Sequence, residues 1–180
     1  MKAPERTIFA ITLCAIGFYA AAARAELRGE IVAFGETAAE IERPVPWSPG
    51  DQSLTPRTSL EGVRFISRAS PVEAQLCLKF GVLVRLIGNS SDRYPDHIMV
   101  TLTHPRLTRP DLVSSTVDSY ATPVSSNLVY SGWSFDQPWE LQPGDWTLTF
   151  RHEGRVVAAK TFTVSVPSPV TSLCASDRIS

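Results

Sequence analysis

Three histidines, His97, His104 and His152, are the side chains best suited to ligate a metal or pass a proton near neutral pH. A metal site needs several such ligands brought together. His97 and His104 bracket one candidate strand at opposite parity, roughly 20 Å apart at a strand's rise per residue. They therefore cannot share a metal, and each reads as a surface or capping histidine. His152 falls beside a hairpin tip and reads as solvated. Asp92, Asp96 and Asp118 fall in candidate loops, where aspartate commonly bonds its own neighbouring backbone to form a turn. Paired carboxylates doing acid–base work need a defined separation, and nothing here sets one. The chain has no G-x-S-x-G elbow, phosphate-binding loop or dinucleotide fingerprint. The expectation is a protein without catalytic residues, metal or cofactor. A hydrolase with its site in the 106–126 segment is the remote alternative.

Cys77 and Cys174 are the two cysteines beyond the N-terminal apolar run. An even pair in an exported chain is a candidate disulfide. It would close a loop of roughly 100 residues, for which a chain-entropy model gives about 4–5 kcal/mol. Two inert thiols are the other reading. Trp133, Phe135 and Trp139 lie close together, and Trp47 sits in a proline-rich stretch. Exposed, Trp47, Trp133 and Trp139 would make a platform for sugar rings or a protein partner. Buried, they would fill or close the core. Trp146 alternates with Leu148 and Phe150 and is expected in the core.

These groups are to be positioned by one domain within 180 residues. Residues 1–25 read as a cleaved export signal. Lys2 and Arg6 precede an apolar run, and Ala23-Arg24-Ala25 fits the small-x-small cleavage rule. The run is short for a spanning helix. Leu13 before Cys14 does not fit a lipidation site, and no later segment is long and apolar enough to span a membrane. A mature chain from Glu26 loses Lys2, Arg6, Arg24 and Glu5, leaving 14 basic and 17 acidic residues, a formal charge of −3. No basic run remains to neutralise phosphates, so nucleic acid is set aside.

The remaining chain reads as strands separated by turns. The first candidate is Gly29–Phe34. Arg43–Arg57 holds Pro44, Pro46, Pro49 and Pro56 and reads as a crossover loop. Val63–Ser67 is a short strand, and Phe80–Gly88, rich in β-branched and aliphatic residues, is expected to be central. Ile98–Thr103 alternates and is expected to stop at His104-Pro105. The 106–126 segment reads as loop. Leu128–Phe135 is a strand with Leu128, Tyr130 and Trp133 inward, after a bulge at Gly132. Trp146–Arg151 and Thr161–Val166 form a hairpin around Glu153-Gly154, where glycine takes a positive φ. The expectation is an all-β, immunoglobulin-like antiparallel sandwich of about seven strands over 26–167, with a tail over 168–180.

KFGVLVRLIG, VTLTHP and WELQPGDWTLTFRHEGRVVAAKTFTV, in this order and spacing, resemble an uncharacterised family of exported bacterial domains of unknown function. The resemblance runs from about Glu26 to Val166. It implies an immunoglobulin-like fold and the bacterial periplasm, and it supplies no catalytic residue. The functional expectation is a non-enzymatic module that contacts an envelope protein, with strand addition as one mode. A polysaccharide-binding module is the alternative.

Overall fold

The computed structural model describes residues 26–46, 50–88 and 94–168. Residues 1–25, read above as an export signal, and Trp47, Asp92 and Cys174 lie outside these ranges. Two sheets pack face to face. The first has four strands, in the order β4 (Arg64–Phe65), β1 (Arg28–Ala38), β6 (Lys79–Ile87) and β9 (Leu128–Ser134). The second has five, in the order β5 (Pro71–Glu73), β11 (Arg155–Ser165), β10 (Gly144–His152), β7 (His97–Thr108) and β8 (Ser114–Pro123). All pairings in both sheets are antiparallel except β5 with β11. A two-stranded ribbon, β2 (Ile41–Val45) with β3 (Arg57–Glu61), stands apart from both.

The period-2 pattern sets the core. Phe80, Val82, Val84 and Leu86 of β6 are fully buried, as are Trp146, Leu148 and Phe150 of β10. Trp146 is the hub: its ring lies 5.4 Å from Phe135, 5.5 Å from Trp133, 6.1 Å from Phe80 and 5.1 Å from His104. Its Nε1–H donates to the Gln142 carbonyl at 3.2 Å, so burying the indole leaves no donor unpaired. At the β10–β11 tip Glu153 and Gly154 both have positive φ, 48° and 78°, as the tight hairpin expects.

Four expectations need correction. β7 does not stop at His104-Pro105. It runs to Thr108 through a register shift between Thr103 and Leu107, and its pairing with β10 ends at Thr103, so the missing Pro105 N–H breaks no ladder there. The 106–126 segment is not a loop: residues 106–108 belong to β7, and Ser114–Pro123 form β8, a polar edge strand. Pro44 lies inside β2, which is paired on one side only, where proline is tolerated. In β9 Trp133 is inward as expected, but the parity of the residues before it is reversed. Val129, Ser131 and Trp133 are buried, Leu128 and Tyr130 face outward, and the register with β6 is continuous through Gly132. Among the described residues the strands beyond the expected seven are β2, β3 and β5, which are short, and β8.

The reversed parity of β9 has a local cause. Gly132 lies opposite Gly81 on β6. A Cβ at Gly81 would come within 2.5 Å of the Tyr130 hydroxyl, and one at Gly132 within 2.8 Å of it. The paired glycines therefore leave a floor on which the Tyr130 ring lies across the outer face. From there its hydroxyl reaches Thr37 Oγ1 on β1, 3.1 Å away.

Candidate functional site

Two polar assemblies stand out. The first is sealed in the core. His104 is buried beneath Trp133 and Trp146. Its Nδ1 lies 2.7 Å from the Pro105 carbonyl, which only accepts, so Nδ1 carries a hydrogen. Its Nε2 lies 3.3 Å from Asp118 Oδ2, with the two side chains 0% and 1% exposed. Neither atom meets hydrogen-bond geometry with any partner among the described residues, so this contact alone offsets their burial. Asp118 Oδ1 accepts the Leu54 N–H at 2.8 Å, which ties the 51–56 segment to the core. The expectation of surface histidines and loop aspartates is thus corrected for His104 and Asp118. The buried face of β8 holds the acid, and its partner is on β7.

Glu140 closes the same end. It belongs to the 3-10 turn Pro138–Glu140 and is 1% exposed. Its Oε2 accepts the N–H groups of Asp136 at 2.6 Å and Gln137 at 2.9 Å. Burial pushes its carboxyl up to about 7, against the pull of those two donors, with the charges of Asp136 and Asp118 adding to the rise. A His–Asp pair with no solvent face has no room for a substrate. These groups hold β7, β8 and the β9–β10 connection together.

The second assembly is a cleft of about 630 Å³ beneath the β2–β3 ribbon, along the edges of β8 and β9. Its floor includes Leu83 and Tyr130, and its roof Leu60 and Val45. The Arg57 guanidinium stacks over the Tyr120 ring at 4.4 Å, donates to the Ala121 carbonyl at 3.0 Å and pairs with Asp51 at 3.1 Å. Lys79 pairs with Glu42 of the ribbon at 2.9 Å. Both cations lining the cleft are therefore matched by carboxylates. Tyr120 bonds Ser131 Oγ across the two sheets at 3.0 Å. Burial raises the Tyr120 phenol and pushes Tyr130 up to about 12, against its bond to Thr37. Both phenols stay protonated at neutral pH and offer neutral hydrogen-bonding groups.

The sequence-derived candidates scatter. Trp133 is 8% exposed and packs on Trp146, so it is core rather than platform. Trp139 is partly buried against the core. Trp47 lies outside the described residues, and no three-tryptophan surface is assembled among those described. Cys77 is exposed, has a φ of 67° and donates its N–H to the Phe135 carbonyl at 2.8 Å. Cys174 lies outside the described residues. His97 is exposed at the cleft mouth, and His152 lies 3.9 Å from Glu153 at the hairpin tip. Among the described residues no group of three or more His, Cys, Asp or Glu is arranged to hold a metal. No helix there is long and apolar enough to cross a membrane. The cleft residues Arg57, Lys79, Tyr120 and Tyr130 escape sequence reasoning because they come from four separate strands. The one local signal is a glycine in each of β6 and β9, and their opposition appears only once the strands are in register.

Residues 41–164 match the model of a family described as a domain of unknown function, DUF3859. An immunoglobulin-like protein from Pseudomonas aeruginosa has a similar fold, with a TM-score of 0.54 and 21% sequence identity, covering 79% of this chain and 99% of that one. No curated protein matches the chain.

Proposed function

This chain belongs to the DUF3859 family, a domain of unknown function, and from that premise we propose that it is an exported, non-enzymatic binding module of the periplasm that holds an envelope protein in the cleft beneath the β2–β3 ribbon. The observation that carries this reading is the cleft itself, about 630 Å³ between a two-stranded roof and the edges of both sheets. Concave sites of that size, lined by aromatic and aliphatic groups with a few placed polar ones, are where proteins hold ligands. The 1–25 leader pattern supports export. The sealed His104–Asp118 pair and the protonated phenols support binding rather than proton transfer. The polysaccharide alternative loses Trp133 from its platform, since that ring is stacked inside the core.

The test is site-specific photocrosslinking in intact cells. A crosslinker at Thr58, on the exposed face of β3, is compared with one at Thr161, exposed on the far sheet. The reading expects a discrete adduct from Thr58 that is absent from Thr161 and lost when Leu83→Arg blocks the cleft floor. Identical adducts from both positions, or a Thr58 adduct unchanged by Leu83→Arg, would sink it.

A further inference from the structure

We infer that the cleft takes an extended polypeptide segment of its partner as an added strand, hydrogen-bonded to the open edge of β9. This rests on the cleft reading above and specifies the chemistry of the ligand. Among the described residues β9 pairs with β6 alone. The two ends of β9 fix which backbone groups are used. Leu86 N–H donates to the Asn127 carbonyl, Cys77 N–H to the Phe135 carbonyl, and Phe135 N–H to the Leu78 carbonyl. Odd-numbered residues therefore face β6. Leu128 faces the other way, exchanging both of its backbone bonds with Ser125 at 2.9 Å each. A strand alternates strictly, so Tyr130, Gly132 and Ser134 also present their N–H and C=O groups away from β6.

What lies on that side is the cleft. It is lined by Tyr130, Ser131, Gly132, Trp133 and Ser134 in unbroken succession. Consecutive residues of a strand point to opposite faces, so a cavity touching all five follows the backbone edge and not one face. The three open residues recur every two positions, roughly 6.6 Å apart, which is the repeat of another strand's donors and acceptors. A sugar ring or a compact metabolite would meet one such pair, whereas an extended peptide meets all three.

The neighbouring edge, that of β8, is already bridged in this way at one residue pair. Gln52 of the chain's own 51–56 segment pairs with Ser119 of β8, with N–H to carbonyl distances of 2.8 and 2.6 Å. The same architecture thus bridges one of two adjacent edges from within and leaves the other open beneath a roof. An open edge is a template for strand pairing, and the ribbon above it restricts entry to a single extended chain. Because Lys79 and Arg57 are matched by Glu42 and Asp51, the segment favoured is uncharged where it passes beneath the ribbon.

The test has two stages. In the free protein, amide hydrogen exchange read by NMR is expected to be fast at Tyr130, Gly132 and Ser134 and slow at Val129, Ser131 and Trp133. A displayed library of linear peptides is then selected on the wild-type domain and counter-selected on Leu83→Arg and Leu60→Arg, which block the floor and the roof. The selected peptide should bring the three fast amides into the slow class. N-methylation at alternate peptide residues should weaken it about 10-fold per site, the loss expected for one hydrogen bond, and be tolerated at the residues between. A peptide that needs an open cleft but tolerates N-methylation at every residue, and leaves the three amides fast, would overturn strand addition while the cleft reading stood. Slow exchange at the three amides in the free protein, or no peptide sensitive to Leu83→Arg or Leu60→Arg, would also overturn it. Failure of the cleft reading shows separately, as a Thr58 adduct indifferent to Leu83→Arg.

Discussion

Replacing Glu140 by glutamine tests how the sealed end of the sandwich is held. The folded carboxyl sits at about 7 against an ordinary 4.5, because burial outweighs the two N–H bonds from Gln137 and Asp136. A carboxyl whose folded value is raised binds its proton more tightly in the folded state. Its contribution to stability is fully present below 4.5 and is lost as pH rises through about 7. At 1.36 kcal/mol per unit, the whole change is about 3 kcal/mol. Glu140→Gln keeps an oxygen to accept both N–H groups and removes the titration. Its amide –NH2 needs a new partner, at a cost of about 1 kcal/mol that is the same at every pH. The difference between the two proteins therefore isolates the charge. Urea unfolding followed by tryptophan fluorescence, at about pH 5 and about pH 8, should show the variant gaining about 2–3 kcal/mol on the wild type between the two conditions. Parallel pH profiles would refute the reasoning, because a carboxyl that ionises freely in the folded state gives no difference in slope.

Four further outcomes are expected. Gly132→Ala would place a methyl 2.2 Å from the Phe80 carbonyl and 2.8 Å from the Tyr130 hydroxyl, so it should cost about 2–3 kcal/mol in urea unfolding, the upper range for overpacking. Asp118→Ala removes the acceptor for Leu54 N–H and the partner of buried His104. It should cost about 3–5 kcal/mol and accelerate exchange of the Leu54 amide, which NMR reads directly. Thiol titration of denatured, unreduced protein made in the periplasm should find no free thiol if Cys77 and Cys174 are joined, and two would sink the bridge. Mass spectrometry of the same material should place the mature N-terminus at Glu26.

The parts of the fold legible in the sequence are those where one physical signal dominates. Trp146, Leu148 and Phe150 alternate with threonine and arginine because β10 buries one face and exposes the other, and the Phe80–Leu86 run is rich in aliphatic residues because β6 is central. The illegible parts are where that signal is diluted. β8 is an edge strand whose exposed first half, through Ser114, Thr116 and Val117, resembles a loop in composition. Pro105 looks like a terminator but sits where β7 has left β10. In β9 the apolar Tyr130 faces outward because two opposed glycines make room for it, while polar Ser131 faces inward because Tyr120 satisfies its hydroxyl. The candidate site was harder still. It is built from backbone groups, which every residue type but proline has in full.

The parallel pairing of β5 with β11 bears on the order in which the molecule can assemble. Pro71–Glu73 is made early and Arg155–Ser165 last, and β11 lies between β5 and β10 in its sheet. On a chain emerging from its N-terminus, the four-stranded layer can pair once β9 is out. The opposite layer is still split at that point, with β5 waiting for a neighbour more than half the chain away. Closing so distant a contact is slow. The last strand to emerge among the described residues therefore acts as the molecule's clasp, and a chain cut short before Arg155 would leave both β5 and β10 without their shared partner.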